Sequence, residues 1–116
     1  NLEQLEVSYS PSLADIKSIK NCNRLEKLVF DHCKNISDDY KVLGTLSNLT
    51  FLTIADSKEI PTLSFLRSLK KLQHFGFVGT NIVDGDLTPC LKIAHVGFNN
   101  KKHYSHKYED LLQLKN

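Results

Sequence analysis

The chain has 116 residues, a length that suits one domain with its own core. Its hydrophobic share of 41% and charged share of 24% are typical of a globular protein. The formal net charge of +2 is too small to indicate nucleic acid or an anionic membrane as the partner. No apolar run approaches the roughly 20 residues of a membrane-spanning helix.

One apolar pattern, L-x-x-L-x-L, recurs five times along the chain. Its openings stand at residues 2, 25, 49, 72 and 93, so the intervals are 23, 24, 23 and 21 residues. The copies are Leu2-x-x-Leu5-x-Val7, Leu25-x-x-Leu28-x-Phe30, Leu49-x-x-Leu52-x-Ile54, Leu72-x-x-Phe75-x-Phe77 and Ile93-x-x-Val96-x-Phe98. A nearly constant interval of this size indicates structural units that stack on one another.

Each copy predicts a short strand followed by a return segment. Apolar residues two apart have the period of a strand with one buried face. After the strand, apolar residues recur three apart, as at Ile16, Ile19 and Cys22, and at Leu63, Leu66 and Leu69. A period of three predicts a 3₁₀ turn or one face of a short helix.

The pattern ends after Phe98, where a polar, loop-like stretch begins. Beyond it, we predict that Ser105 caps a last helix, which carries Tyr108, Leu111 and Leu112 on one side. Terminal units of a stacked array need a cap with a polar outer face. The predicted organisation is therefore a repeat region, 1–98, and a C-terminal capping segment, 99–116.

The pattern resembles the signature of the leucine-rich repeat family, L-x-x-L-x-L-x-x-(N/C)-x-L, over about residues 2–98. The second copy is the closest and resembles the cysteine-containing type, with Cys33 in the Asn/Cys position. The resemblance implies an α/β leucine-rich-repeat solenoid. It would have parallel β-strands on the concave face, 3₁₀ or short helical segments on the convex face, and a C-terminal cap.

In the family, the residue in the Asn/Cys position turns inward and hydrogen-bonds backbone groups of the neighbouring turn. The five copies have Ser10, Cys33, Ser57, Thr80 and Lys101 there. The hydroxyl groups of Ser57 and Thr80 are able to make such bonds, whereas Lys101 is not. We therefore expect this ladder of hydrogen bonds to end before the fifth copy.

The resemblance also implies protein–protein recognition or scaffolding through the exposed strand residues. By the spacing, two columns of such residues are Gln4, Lys27, Phe51, His74, His95 and Glu6, Val29, Thr53, Gly76, Gly97. Two further columns are Ser8, Asp31, Ala55, Val78, Asn99 and Tyr9, His32, Asp56, Gly79, Asn100. The predicted partner-binding residues are Lys27, Val29, Asp31, Phe51, Thr53, His74, His95 and Tyr9.

Two features of these columns have alternative interpretations. Phe51 is either an anchor for a partner or a residue that packs on His74 across the strands and stabilises only the sheet. The aligned His74 and His95 either make binding depend on pH or are aligned by chance.

The size of the strand face is a further constraint. Five strands about 4.8 Å apart present a face of only ~20 by ~13 Å. A standard interface buries roughly 800 Å² on each partner, so this face is expected to be a partial surface. We therefore expect the chain to be the C-terminal part of a larger repeat protein.

Catalysis, a cofactor and a metal site are not predicted. His103-x-x-His106 lacks the glutamate and the spacing of a zinc protease, and no further ligands are nearby. Cys33 and His32 are adjacent in a predicted strand, so their side chains should point to opposite faces. Neither a P-loop nor a glycine-rich dinucleotide turn is present, and we expect neither an enzyme nor a small-molecule substrate.

Two alternative functions remain. The repeats or the tail could pack on another domain of the same protein, in which case apolar residues would be exposed on the convex side. Alternatively, a basic loop could contact nucleic acid, with Tyr104 and Tyr108 interleaved among its cations: Lys101, Lys102, His103, His106 and Lys107. Because Glu109 and Asp110 follow directly, a solvated surface is the preferred interpretation of the loop.

The chain has three cysteines, Cys22, Cys33 and Cys90. Their odd number and wide spacing indicate neither a disulfide framework nor a Cys-x-x-Cys metal pair. All three are predicted to be small buried apolar residues. Unpaired cysteines weakly favour a reducing compartment such as the cytoplasm.

Overall fold

The structure, a computed structural model, describes residues 4–8, 22–34 and 40–114. Its strands form one parallel sheet and are β1 (Gln4–Ser8), β2 (Lys27–Asp31), β3 (Phe51–Ala55), β4 (His74–Gly76) and β5 (His95–Gly97). The other described elements are the 3₁₀ helices η1 (Tyr40–Thr45), η2 (Ser64–Ser68) and η3 (Thr88–Lys92), and the helix α1 (Tyr108–Leu114). The chain is therefore a small α/β domain, in which the order of strands in the sheet follows the chain.

The strands pair in the register that the sequence pattern predicts. Phe51, for example, is opposite Lys27 on one side and His74 on the other. In β2 and β3, burial alternates from residue to residue, so each strand turns one face to the core. The strands β4 and β5 have only three residues each, and the sheet narrows towards its C-terminal end.

The return segments contain 3₁₀ turns, as the spacing of three predicts. The Leu66 N–H donates to the Leu63 carbonyl at 3.0 Å, and the Leu69 N–H donates to the Leu66 carbonyl at 3.1 Å. In a 3₁₀ helix residues three apart lie on one side, and these three leucines are all buried. The core therefore lies between the sheet and a second layer that contains η1, η2 and η3.

A ladder of hydrogen bonds joins the turns that follow the strands. The Cys33 N–H donates to Ser57 Oγ at 3.1 Å, and the Ser57 N–H donates to Thr80 Oγ1 at 3.1 Å. The Thr80 hydroxyl in turn donates to the Ile54 carbonyl at 2.6 Å. The inward hydrogen bonds predicted for Ser57 and Thr80 are confirmed, whereas Ser10 lies outside the described residues.

Tyr104 ends this ladder in the fifth copy, where Lys101 is exposed. The Ile82 N–H donates to the Tyr104 hydroxyl at 3.2 Å, and this hydroxyl lies 3.5 Å from the Thr80 carbonyl oxygen. Burial raises the pKa of Tyr104, against the opposing effect of the hydrogen bond from Ile82. A buried tyrosine thus takes the place of the shorter side chains of the earlier copies.

The start of α1 differs from the prediction. Ser105 does not cap this helix, because its Oγ accepts a hydrogen bond from the Leu87 N–H at 2.8 Å, at the start of η3. The first N–H of the helix, that of Tyr108, donates to Asn100 Oδ1 at 2.7 Å. Asn100, predicted to belong to the strand columns, therefore helps to position α1 instead.

The apolar side of α1 also differs from the prediction. Leu111 is buried, and Tyr108 packs against the core at its edge. Leu112 was expected on the same side, but its side chain is 47% exposed. Successive residues of an α-helix point about 100° apart, so only one of two adjacent leucines faces the core.

The three cysteines of the described residues differ in burial. Cys33 and Cys90 are buried as predicted, whereas Cys22 is only half-buried at the edge of the core.

Among the described helices, none has the length and apolar character that crossing a membrane requires.

Candidate functional site on the strand face

The strand face is the side of the sheet that points away from the core, and one row of residues crosses all five strands. The register places Gln4, Lys27, Phe51, His74 and His95 side by side. Neighbouring strands lie about 4.8 Å apart, so side chains in such a row are within contact distance. This row is the first predicted column.

Three members of this row form a stack. The rings of Phe51 and His74 have centroids 4.2 Å apart, and their planes differ by 2°. On the other side, Lys27 Nζ lies 5.1 Å from the centroid of the Phe51 ring, within the range of a cation–π contact. The interpretation that Phe51 packs on His74 is confirmed. Both rings are only half-buried, so the stack also remains accessible to a partner.

The protonation of His74 is set by its position in the stack. Burial lowers the pKa of His74, and the nearby His95 lowers it further. The neutral form of the ring is therefore favoured at pH 7. His95 is the more exposed of the two histidines.

The second row of the strand face ends in two glycines, in β4 and β5. It runs through Val29, Thr53, Gly76 and Gly97. A Cβ atom added at Gly97 would have no atom within 4 Å, so the space above this backbone is open. At β5 the backbone of the strand face is therefore not covered by side chains of the second row.

A depression of about 220 Å³ lies at this end of the sheet, above β5. The stack borders it through His74, and α1 borders it through Tyr108 and Leu112. His95 and Gly97 also line it. Aromatic and apolar groups around a concave space are typical of the residues that anchor protein interfaces.

A polar group lies at the ends of β2 and β3. His32 Nδ1 is 2.6 Å from Asp31 Oδ1, and His32 Nε2 is 3.9 Å from Asp56 Oδ2. Their donor atoms, all within 4.8 Å of one another, are of the types that bind divalent metals. Such half-exposed acidic groups are common in proteins without a metal.

This polar group corrects the prediction that His32 is a strand residue. The strand β2 ends at Asp31, and His32 and Asp56 have positive φ angles of 58° and 49°. Gly79, at the equivalent place in the next copy, has a φ of 78°. Three members of the fourth predicted column, His32, Asp56 and Gly79, are therefore left-handed turn residues and not strand residues.

The predicted partner-binding residues fall into three groups. Six lie in the two rows described above, namely Lys27, Val29, Phe51, Thr53, His74 and His95. Asp31 lies at the edge of the strand face, beside His32, and Tyr9 lies outside the described residues. The sequence-based prediction missed the depression, although the missing side chain at Gly97 is a signal of open space there.

The basic C-terminal loop does not present its aromatic and histidine side chains as a common site. His103 Nε2 lies 2.8 Å from the Ile82 carbonyl oxygen, whereas His106 Nδ1 lies 2.8 Å from Ser105 Oγ. The two imidazoles therefore have separate partners. Tyr104 is buried, so its ring is not accessible to a base, whereas Tyr108 packs on the edge of the core and borders the depression.

Comparison with other proteins does not assign the chain to a family. No model of a known protein family matches the chain, and no curated protein sequence matches it. Function is therefore inferred from the chemistry and geometry of the strand face.

Proposed function

We propose that this chain is a run of leucine-rich repeats that recognises a partner protein through its strand face. Four observations support the repeat assignment: the recurrent apolar pattern, the sequential parallel sheet, the 3₁₀ return segments and the hydrogen-bond ladder. In such an array the strand residues that point away from the core need not stabilise it, so their chemistry is free to serve binding.

The stack beside the depression carries the proposal. Phe51 is held between Lys27 and His74, so the ring has little conformational freedom left to lose when a partner covers it. Well-packed aromatic residues are frequent among the few side chains that dominate binding energy. The depression next to it offers a place into which a partner can insert a side chain.

The size of the depression favours a protein over a small-molecule ligand. Pockets for small molecules usually measure roughly 300–1,000 Å³ and enclose most of the ligand. The depression has about 220 Å³ and lies on an open face, where it would enclose only a small part of such a molecule. A partner protein, in contrast, would contact the stack and the depression together.

A binding experiment with two strand-face variants tests the proposal. Partners captured by the wild-type protein are identified by mass spectrometry, purified, and measured against each variant by isothermal titration. Phe51→Ala removes the centre of the stack, and a loss of about 2 kcal/mol, roughly thirtyfold in Kd, is expected. Gly97→Val fills the depression from a position where an added Cβ has no neighbour, so binding is expected to weaken without a loss of folding.

Lys101→Ala provides the matched control, since it alters an exposed residue away from the strand face. It is expected to bind the partner as the wild type does. Circular dichroism verifies that all variants are folded. A partner that binds wild type, Phe51→Ala and Gly97→Val equally would contradict recognition through the strand face.

Assembly against another domain receives less support. Exposed apolar residues on the layer of 3₁₀ helices would favour it. Four large apolar side chains of the described residues are exposed, and of these only Leu91 belongs to a 3₁₀ helix. The other three are Val78, Val83 and Leu112.

A further inference from the structure

A second concave surface lies in the layer of 3₁₀ helices, on the other side of the core from the strand face. It is a groove of about 480 Å³ between η2 and η3, and we call it the η groove. Its apolar lining includes Leu66, Leu69, Leu72, Pro89 and Ile93. Leu91 also lines it and is 39% exposed, so the groove has an accessible apolar side chain beside its buried leucines.

The charges of the η groove have one sign. Arg67, Lys70 and Lys92 line it, and its lining includes no carboxylate. Within the described part of the chain, none of these three cations forms an ion pair. The Arg67 side chain donates to Thr88 Oγ1 at 3.1 Å, so the guanidinium lies across the groove, between the two 3₁₀ helices.

The carboxylate of Asp86 lies near this groove, and besides two hydrogen bonds from Thr88 the charge of Arg67 contributes to the lowering of its pKa. It accepts hydrogen bonds from the Thr88 N–H at 3.0 Å and from the Thr88 hydroxyl at 2.8 Å. These two hydrogen bonds lower the pKa of Asp86 and hold its charge at the start of η3. Three cations line the groove against this one nearby carboxylate, so an excess of positive charge remains.

We propose that the η groove binds an acidic segment of a partner protein, in which large apolar side chains are flanked by carboxylates. The apolar side chains would cover Leu91 and the leucine floor, while the carboxylates would pair with Arg67, Lys70 and Lys92. A bidentate pair with the Arg67 guanidinium would fix the orientation of the segment. This site is separate from the strand face and does not depend on the function proposed for it.

Charge complementarity argues against a second copy of the chain as the occupant. In a symmetric dimer the same patch meets itself, so the three cations of one copy would face the three of the other. Such repulsion disfavours the contact, whereas an acidic segment neutralises the rim.

Fluorescence polarisation with two short labelled peptides tests the proposal on the whole chain. One peptide alternates leucine and glutamate, and the other has glutamine in place of every glutamate. We expect the acidic peptide to bind at least about tenfold more tightly than the neutral one. The double variant Arg67→Gln/Lys92→Gln is expected to lose about tenfold in affinity for the acidic peptide, and Leu91→Ser several-fold.

Two control variants distinguish binding at the η groove from binding elsewhere on the chain. Lys101→Gln/Lys102→Gln removes the same charge from an exposed loop, and Phe51→Ala alters the strand face; both are expected to bind the acidic peptide as the wild type does. Equal affinity for the two peptides, no binding of the acidic one, or an equal loss in either control would overturn the proposal. Displacement of the peptide by decanoate at equal concentration would identify the site as one for fatty carboxylates instead.

Discussion

His74 combines a structural and an electrostatic role at a single position. Its ring stacks on Phe51, and burial together with His95 disfavours its charged form. Protonation would place a new positive charge beside His95 at the centre of the strand face. The folded state therefore favours the neutral form of the His74 imidazole.

This coupling predicts a dependence of stability on pH. The unfolded chain binds the His74 proton near the ordinary pKa of 6.5, whereas the folded chain binds it only at lower pH. Between these two values the unfolded state holds more protons, so the free energy of unfolding falls as the pH is lowered below about 6.5. Urea unfolding between about pH 5 and 8 is expected to show this loss in the wild type and less of it in His74→Gln. The same pH dependence in both proteins would contradict it.

Substitution by alanine is expected to change stability at one glycine and not at another. Gly85 has a φ of 67°, and a Cβ added there would overlap the backbone carbonyl of His103, whereas Gly97 has open space. We expect Gly85→Ala to lower the free energy of unfolding by about 2 kcal/mol, and Gly97→Ala to change it by less than about 0.5 kcal/mol. Urea denaturation measures both, and similar losses would show that backbone conformation and space do not decide the effect.

At this scale the sequence predicted the strand rows but not the turns. Residues such as Lys27 and Phe51 occupy equivalent positions in successive copies, so the period alone aligns them. The period contains no information on where a strand ends. His32 and Asp56 adopt left-handed conformations, which are uncommon for residues other than glycine, and their contact became visible only in the folded chain.

The hydrogen-bond ladder is a feature of the element scale, because each bond joins the turn after one strand to the turn after the next. Thr80→Val keeps the shape of the side chain but removes the acceptor for the Ser57 N–H and the donor to the Ile54 carbonyl. Buried backbone groups left without partners cost about 1–3 kcal/mol, and we expect a loss of stability of this size in urea unfolding.

Thr53→Val is the matched control for this substitution. Thr53 is half-buried on the strand face, where valine is also well suited to a strand. Its expected change in the free energy of unfolding is below about 0.5 kcal/mol. If Thr80→Val were as mild as this control, the ladder would not contribute to the stability of the fold.

Elements were predictable where a local period determines them. The period of two at Leu52 and Ile54 identified β3, and the period of three at Leu63 and Leu66 identified the 3₁₀ turn. The start of α1 was not predictable in this way, because its first N–H is bound by Asn100, eight residues earlier in the chain. Ser105 has the chemistry of a cap but uses it at η3.

At the scale of the whole molecule, each strand pairs only with its neighbours in the sheet. Leu111 is buried in the cap beside β5, so Leu111→Ala is expected to cost about 2–4 kcal/mol through loss of packing. Because contacts extend only from neighbour to neighbour, we expect amide hydrogen exchange to accelerate first in α1 and β5 and last in β2.

The adjacent residue supplies the control for this prediction. Leu112 is 47% exposed, so Leu112→Ala is expected to leave both stability and the exchange pattern close to wild type. Uniform acceleration across all strands in Leu111→Ala would indicate a single cooperative unit without local opening.

The sequential order of the strands also has a mechanical consequence. Tension applied across the sheet, at right angles to the strands, would load the hydrogen bonds between one pair of strands at a time and peel the strands off from an end. Each detached copy would release 21 to 24 residues, which when extended span about 70–85 Å. Under load the domain would lengthen in discrete steps, and its strand face would lose one strand with each step.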